Sequence, residues 1–113
     1  MRIYTHNWGD HLTIYINGTE GFCKLNVYLE DGRNVAELYD MVVYPEFRGQ
    51  GHGNAILTTA IQEAEKVFCD TLILWPVAEP WIRAWYHRNG FNPDYRFHNY
   101  ERTPGWSKSL AKK

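Results

Sequence analysis

"PEFRGQGHGN", residues 45–54, sets glycines at 49, 51 and 53 directly behind Arg48, between an apolar run and an amphipathic one. Glycine reaches positive φ cheaply and lets another molecule touch the backbone. Three of them where a strand hands over to a helix leave a loop of N–H groups pointing outward. The first N–H groups of a helix have no partner within it, and the helix dipole is positive at that end. The stretch reads as a cradle for phosphate or pyrophosphate, with Arg48 adding a charge-assisted contact. A plain turn explains the same glycines. Two phosphate loops are excluded: counting G-x-G-x-x-G from Gly49 puts Asn54 at the third glycine, and no Gly-Lys-Ser/Thr is present.

The flanks supply the context. "HLTIYIN" (11–17) alternates Leu12, Ile14 and Ile16 inward against Thr13 and Tyr15, and Asn17-Gly18 ends it in a turn. "FCKLNVYLE" (22–30) puts Cys23, Leu25, Val27 and Leu29 on one face. Asp31-Gly32 is a two-residue hairpin signal, and "RNVAELYDMVVY" (33–44) returns from it. Counting outward from that loop opposes Leu25 to Leu38, Asn26 to Glu37 and Val27 to Ala36. One face is then Leu25, Val27, Leu29, Ala36 and Leu38. The other is Lys24, Asn26, Tyr28, Glu37 and Tyr39, suited to the wall of a cleft. "NAILTTAIQEAEKV" (54–67) brings Ile56, Leu57, Ala60, Ile61, Ala64 and Val67 to one side of a helix that covers the apolar face.

Beyond it, "DTLILW" (70–75) reads as a buried parallel strand. Pro80 opens a second helix that Asn89-Gly90 ends. "FNPDYRFHNYER" (91–102) reads as a closing strand pair with a Pro-Asp turn. The expected architecture is mixed α/β, a mostly antiparallel sheet with two main helices.

Composition narrows the class. The chain has 113 residues, 44% apolar and 16% aromatic, which fits one domain over 1–113 with a single core and excludes a disordered or low-complexity chain. No run approaches the roughly 18 apolar residues of a membrane span, and the N-terminus lacks a signal-peptide core. Cys23 and Cys69 have no metal-ligand spacing; both read as buried thiols of a reducing cytoplasm. Net charge is −1, unevenly spread: through Phe47 three Lys/Arg face seven Asp/Glu (−4), and from Arg48 nine face six (+3). That split suits an amine substrate and an anionic cofactor, or is ordinary surface charge. It is not the basic stripe of a nucleic-acid binder, and Lys108, Lys112 and Lys113 read as a solvated tail.

Arg48, Gly51 and Gly53 at Arg-x-x-Gly-x-Gly spacing resemble the pyrophosphate loop of the GNAT superfamily, the acyl-CoA-dependent N-acetyltransferases. "LYDMVVYPEFRGQGHGNAIL" resembles the family's strand, loop and helix around that site. "WIRAWYHRNGF", whose Tyr86 lies 33 residues past Gly53, resembles a second signature, Tyr-x-x-x-Gly-Phe, carried by Tyr86, Gly90 and Phe91. The resemblance spans roughly residues 22 to 100. It implies a GNAT-like sheet in which the strand ending at Val43 splays from the parallel strand at 70–75. It also implies acetyl-CoA as co-substrate, an amine acceptor and no metal.

Roles follow by position. The backbone of Met41, Val42 and Val43 would pair with the pantetheine arm, and an N–H near Val43 would hold the oxyanion. The amides of Gly49, Gln50, Gly51, His52 and Gly53 would cradle the pyrophosphate, with Arg48 and Gln50 reaching its oxygens. Glu37, eleven residues before Arg48, matches the catalytic glutamate of some histone-type members; it also reads as a surface strand glutamate paired with a cation. Tyr86 matches the tyrosine that protonates the leaving thiolate, or is an aromatic core residue. Asn26, Tyr39 and Glu79 are candidate acceptor contacts.

The sequence departs from the family pattern in three places, one of them Ile82 where a small residue is usual. Glu79 stands where an asparagine is frequent. Only residues 6–10 separate "RIYT" from "LTIYI", too few for the two helices that usually wall the acceptor side. An open cleft for a peptide or protein acceptor, or closure by a second subunit, would answer that. Tyr4, Trp8, Tyr15, Tyr28, Tyr39 and Trp106 are available for a homodimer interface. The expected activity is acetyl transfer to a primary amine by direct attack; the alternative is a compact module that binds CoA or a protein without catalysis.

Overall fold

The computed structural model describes residues 1–110; Lys112 and Lys113 of the expected basic tail lie outside them. In chain order the elements are β1 (Arg2–Asn7), β2 (Leu12–Asn17), β3 (Gly21–Glu30), β4 (Arg33–Val43), a 3-10 turn at Pro45–Phe47, α1 (His52–Lys66), β5 (Thr71–Leu74), α2 (Pro80–Arg88), β6 (Asn92–His98) and β7 (Pro104–Ser109). All strands join one sheet in the order β1-β2-β3-β4-β5-β7-β6. Among the described residues only the β4/β5 pair is parallel. This is the expected mixed α/β architecture, a mostly antiparallel sheet with two helices.

The hairpin count from Asp31-Gly32 holds. Leu25 opposes Leu38, Asn26 opposes Glu37 and Val27 opposes Ala36. Asp31 and Gly32 both adopt positive φ, as a type I′ turn requires. α1 lays Ile56, Leu57, Ala60 and Ala64 on Ile14, Ile16, Cys23, Leu25, Val27, Ala36 and Leu38, with Ile61 and Val67 at the margin. Each fully buried aliphatic side chain there contributes about 1.5–3 kcal/mol, and truncating Leu57 to alanine costs about 2–5 kcal/mol. Leu29 does not join this face. It lies beyond the reach of α1 at the hairpin tip and is 69% exposed.

Two other expectations change. The Pro93-Asp94 pair is no turn: it lies inside β6, and the chain reverses at Asn99–Thr103 instead. β6 is an edge strand, where a proline costs no ladder bond. The Asn99 side chain accepts the amides of Glu101 and Thr103, which makes the turn. Thr13 is buried rather than outward, because its hydroxyl donates to Asn26 Oδ1 at 2.8 Å and accepts the Trp8 indole at 3.0 Å.

β1 and β2 form a hairpin through Trp8–His11, with no helix between them. Opposite α1, the sheet therefore carries a small cluster of Val35, Ile73, Phe97 and Tyr28 and otherwise a polar-aromatic surface. No helix among the described residues is long and apolar enough to cross a membrane.

Candidate active site

β4 and β5 pair only from Val35↔Thr71 to Glu37↔Ile73. β5 then ends at Leu74 while β4 runs on to Val43, so the two strands part. The gap opens into a cleft of about 1190 Å³ between the far half of β4, the glycine loop, the β5–α2 connection and α2. Met41, Val42, Val43, Arg48, Gly49, Gly51, His52 and Gly53 all line it, as do Tyr39, Glu79 and Tyr86.

A bulge aims the strand into this cleft. Lys24 opposes Tyr39 and Phe22 opposes Val42, so Asp40 and Met41 together face Cys23. Asp40 takes the left-handed φ of +54° that the extra residue needs. Without it Asp40 would point at α1, following Ala36 and Leu38. With it Met41 and Val43 turn to the core instead, and Asp40 swings to the polar face, 3.4 Å from Lys24 Nζ. The Tyr44 amide donates to Glu20 across the β3 side. By alternation, the Val43 N–H and C=O face the splay.

The loop is shaped for an anion. Gly49 and Gly51 hold φ of +78° and +84°, and Gly51 is the N-cap of α1. No acidic residue occupies the first turn of that helix, so no carboxylate of its own offsets its positive end. Arg48 folds over the mouth, with Nε donating to the Val43 carbonyl at 3.0 Å. Gln50 Nε2 donates to the Glu46 carbonyl at 3.3 Å. Across the cleft the Trp85 indole donates to Asn54 Oδ1 at 3.1 Å, which clips α2 to the start of α1. Neither Trp85 nor Asn54 was singled out from sequence, because one contact across 31 positions leaves no local pattern.

Tyr86 sits on the floor. Its hydroxyl lies 3.9 Å from Met41 Sδ, and burial pushes its pKa above the ordinary phenol value. Its place is fixed by the helix end. The amide of Phe91 donates to the Tyr86 carbonyl and that of Gly90 to the His87 carbonyl, the paired bonds of a Schellman cap, with Gly90 at φ +94°. Glu79 is the N-cap of α2, its carbonyl accepting the Ile82 and Arg83 amides.

Glu37 is the last β4 residue paired to β5 and is half-buried on the polar face, opposite Asn26. It does not itself line the cleft. Burial raises its pKa above the usual glutamate range, partly opposed by the Trp75 indole, with Glu30 raising it further. Trp75 lines the cleft, so it joins the two places. Asn26 Oδ1 is engaged, accepting Thr13 and, at 3.0 Å, the Tyr39 hydroxyl. Cys23 and Cys69 are buried free thiols, pushed by burial up to about 12 and about 11.

A family model described as an acetyltransferase (GNAT) domain matches residues 7–93. The chain belongs to the GNAT acetyltransferase family. Solved GNAT structures superpose over most of it. The ribosomal-protein-S18-alanine N-acetyltransferase of Escherichia coli gives a TM-score of 0.61 at 19% identity, covering 95% of this chain and 74% of that one. The PaiA N-acetyltransferase of Thermoplasma acidophilum, in complex with coenzyme A, gives 0.64 at 20%, covering 88% and 60%. A GNAT acetyltransferase of Elizabethkingia anophelis with acetyl-CoA bound gives 0.62 at 15%, covering 96% of both. At these identities the likeness is one of GNAT fold. A search of curated protein sequences found no match.

Proposed function

We propose that this GNAT protein transfers an acetyl group from acetyl-CoA to a primary amine, by direct attack in a ternary complex. The observation that carries the reading is the opening of the parallel β4/β5 pair onto the positive end of α1, with the Tyr86 hydroxyl on the floor. The pantetheine arm pairs with the splayed edge of Met41–Val43. The pyrophosphate rests on the amides of Gly49 through Gly53, with Arg48 on its oxygens. The Val43 N–H faces the thioester and holds the oxyanion.

Glu37 removes the ammonium proton, directly or through a water, and its raised pKa makes it a stronger base than an ordinary glutamate. The amine lone pair attacks the thioester carbon, the C–S bond breaks, and Tyr86 protonates the departing sulfur. Direct attack fits the thiols as well: Cys23, held protonated by burial, offers no thiolate to carry an acyl group. Tyr39 and Glu79 flank the acceptor's entry.

The test is release of free CoA thiol across a panel of small amines and peptides, comparing parent with Glu37→Gln and Tyr86→Phe. Turnover by the parent and its loss in both variants is expected; parent-like turnover in both would refute the assigned roles. A second reading, a CoA-binding module without catalysis, draws on the position of Glu37 outside the cleft lining. Binding without turnover on any amine would select it.

A further inference from the structure

We infer that Lys24 is itself an acetylation site, modified by acetyl-CoA bound in the same chain's cleft. Lys24 projects from β3 on the polar face, directly opposite Tyr39. Its Nζ lies 3.4 Å from Asp40 Oδ2, and 5.7 and 5.9 Å from the ring centroids of Tyr15 and Tyr39. Tyr39 and Asp40 both line the cofactor cleft, so this amine is held at its margin and aimed by two rings and a carboxylate. The side chain remains 35% exposed, and Lys24 borders the cleft through Tyr39 and Asp40 without lining it.

The other described lysines are elsewhere. Lys66 Nζ is bound to Glu63 in the last turn of α1, at the opposite end from the glycine loop. Lys108 Nζ donates to the Asn89 carbonyl beneath the end of α2. The absence of helices between β1 and β2 leaves the Lys24 side of the sheet open.

The step balances without a further reagent. The Lys24 ammonium gives one proton to Asp40 or water, and the freed lone pair forms a C–N bond to the thioester carbonyl. The C–S bond breaks with its electron pair on sulfur. The second nitrogen proton is lost as the amide forms; one of the two protons ends on CoA, the other in solvent. The product carries no charge at Lys24 and leaves Asp40 without its partner, which opens an acidic, aromatic-walled position for a cationic acceptor.

The inference rests on acetyl-CoA occupying the cleft as proposed above, and its test separates the two. The protein is incubated with isotope-labelled acetyl-CoA and no added amine, then digested for peptide mass spectrometry. One acetyl group on Lys24 is expected, at a rate per chain independent of protein concentration. Lys66 and Lys108 should lag by about tenfold or more, and Asp40→Asn should slow Lys24 by a similar factor. Lys24→Arg removes the product, and the Arg48→Ala, Gly51→Asp double variant suppresses it.

Even labelling of all lysines, or labelling that persists in the double variant, would identify ordinary chemical acetylation and overturn the inference. An unmodified Lys24 beside an acetylated added amine would overturn it and leave the proposed function standing. Failure to bind acetyl-CoA at all would remove both.

Discussion

Tyr86 and Phe91 meet edge to face, ring centroids 5.6 Å apart, because the left-handed Gly90 folds the chain back over the end of α2. The Tyr-x-x-x-Gly-Phe pattern is thus a helix cap with its apolar contact, and the same geometry sets the depth of the Tyr86 hydroxyl. Tyr86→Phe keeps ring and cap. Its urea midpoint should match the parent, acetyl-CoA affinity should be unchanged, and kcat should fall about 100-fold. Burial keeps the phenol protonated beyond its ordinary value, so Tyr86 should set no alkaline limb in the rate profile below pH about 10.

Glu37 gives a pH signature. As the proposed base, Glu37 would act through its carboxylate, and its pKa is raised, so the acidic limb of kcat/KM should lie above the ordinary glutamate value and be absent from the residual rate of Glu37→Gln. Stability runs the other way. Between the unfolded and the raised native pKa the native state holds more protons, so unfolding free energy falls as pH rises through that window. Glu37→Gln should lose that fall while losing turnover, a pairing visible in denaturation curves at successive pH values.

Two glycines separate fold from site. A Cβ on Gly51 meets nothing within 4 Å, so Gly51→Ala carries only the left-handed strain, about 1–2 kcal/mol. A Cβ on Gly21 falls on the Val42 carbonyl oxygen and 3.0 Å from Val43 Cα. Gly21→Ala should therefore cost about 3 kcal/mol or more by forcing β3 from β4 at the splay. Chemical denaturation ranks the two, and Gly51→Ala should be the folded one that binds acetyl-CoA more weakly.

The sequence made the frame legible where a period could be counted from a fixed point. Asp31-Gly32 anchored the register as far as Leu38, and the α1 stripe needed only its 3.6-residue repeat. The bulge at Asp40 was beyond such a count, since period-2 alternation cannot see one inserted residue. β7 was also missed: "PGWSKS" begins with Pro-Gly and has only Gly105 fully buried, so it shows no apolar alternation. Pro93-Asp94 carried a turn signal that edge position overrode. There Asp94 instead takes Arg96 and Ser107, and those bonds, Arg96 foremost, hold its carboxyl well below the usual range. The Trp75–Glu37 contact joins a loop to a strand and left no trace in either segment.

Calorimetric titration with acetyl-CoA tests the central claim most directly, run on the parent and on the Arg48→Ala, Gly51→Asp double variant. Micromolar binding by the parent, about −8 kcal/mol, and its loss in a folded variant are expected of a pyrophosphate cradle. No binding by the parent, or equal binding by both, would contradict the assignment of residues 45–54 to the cofactor.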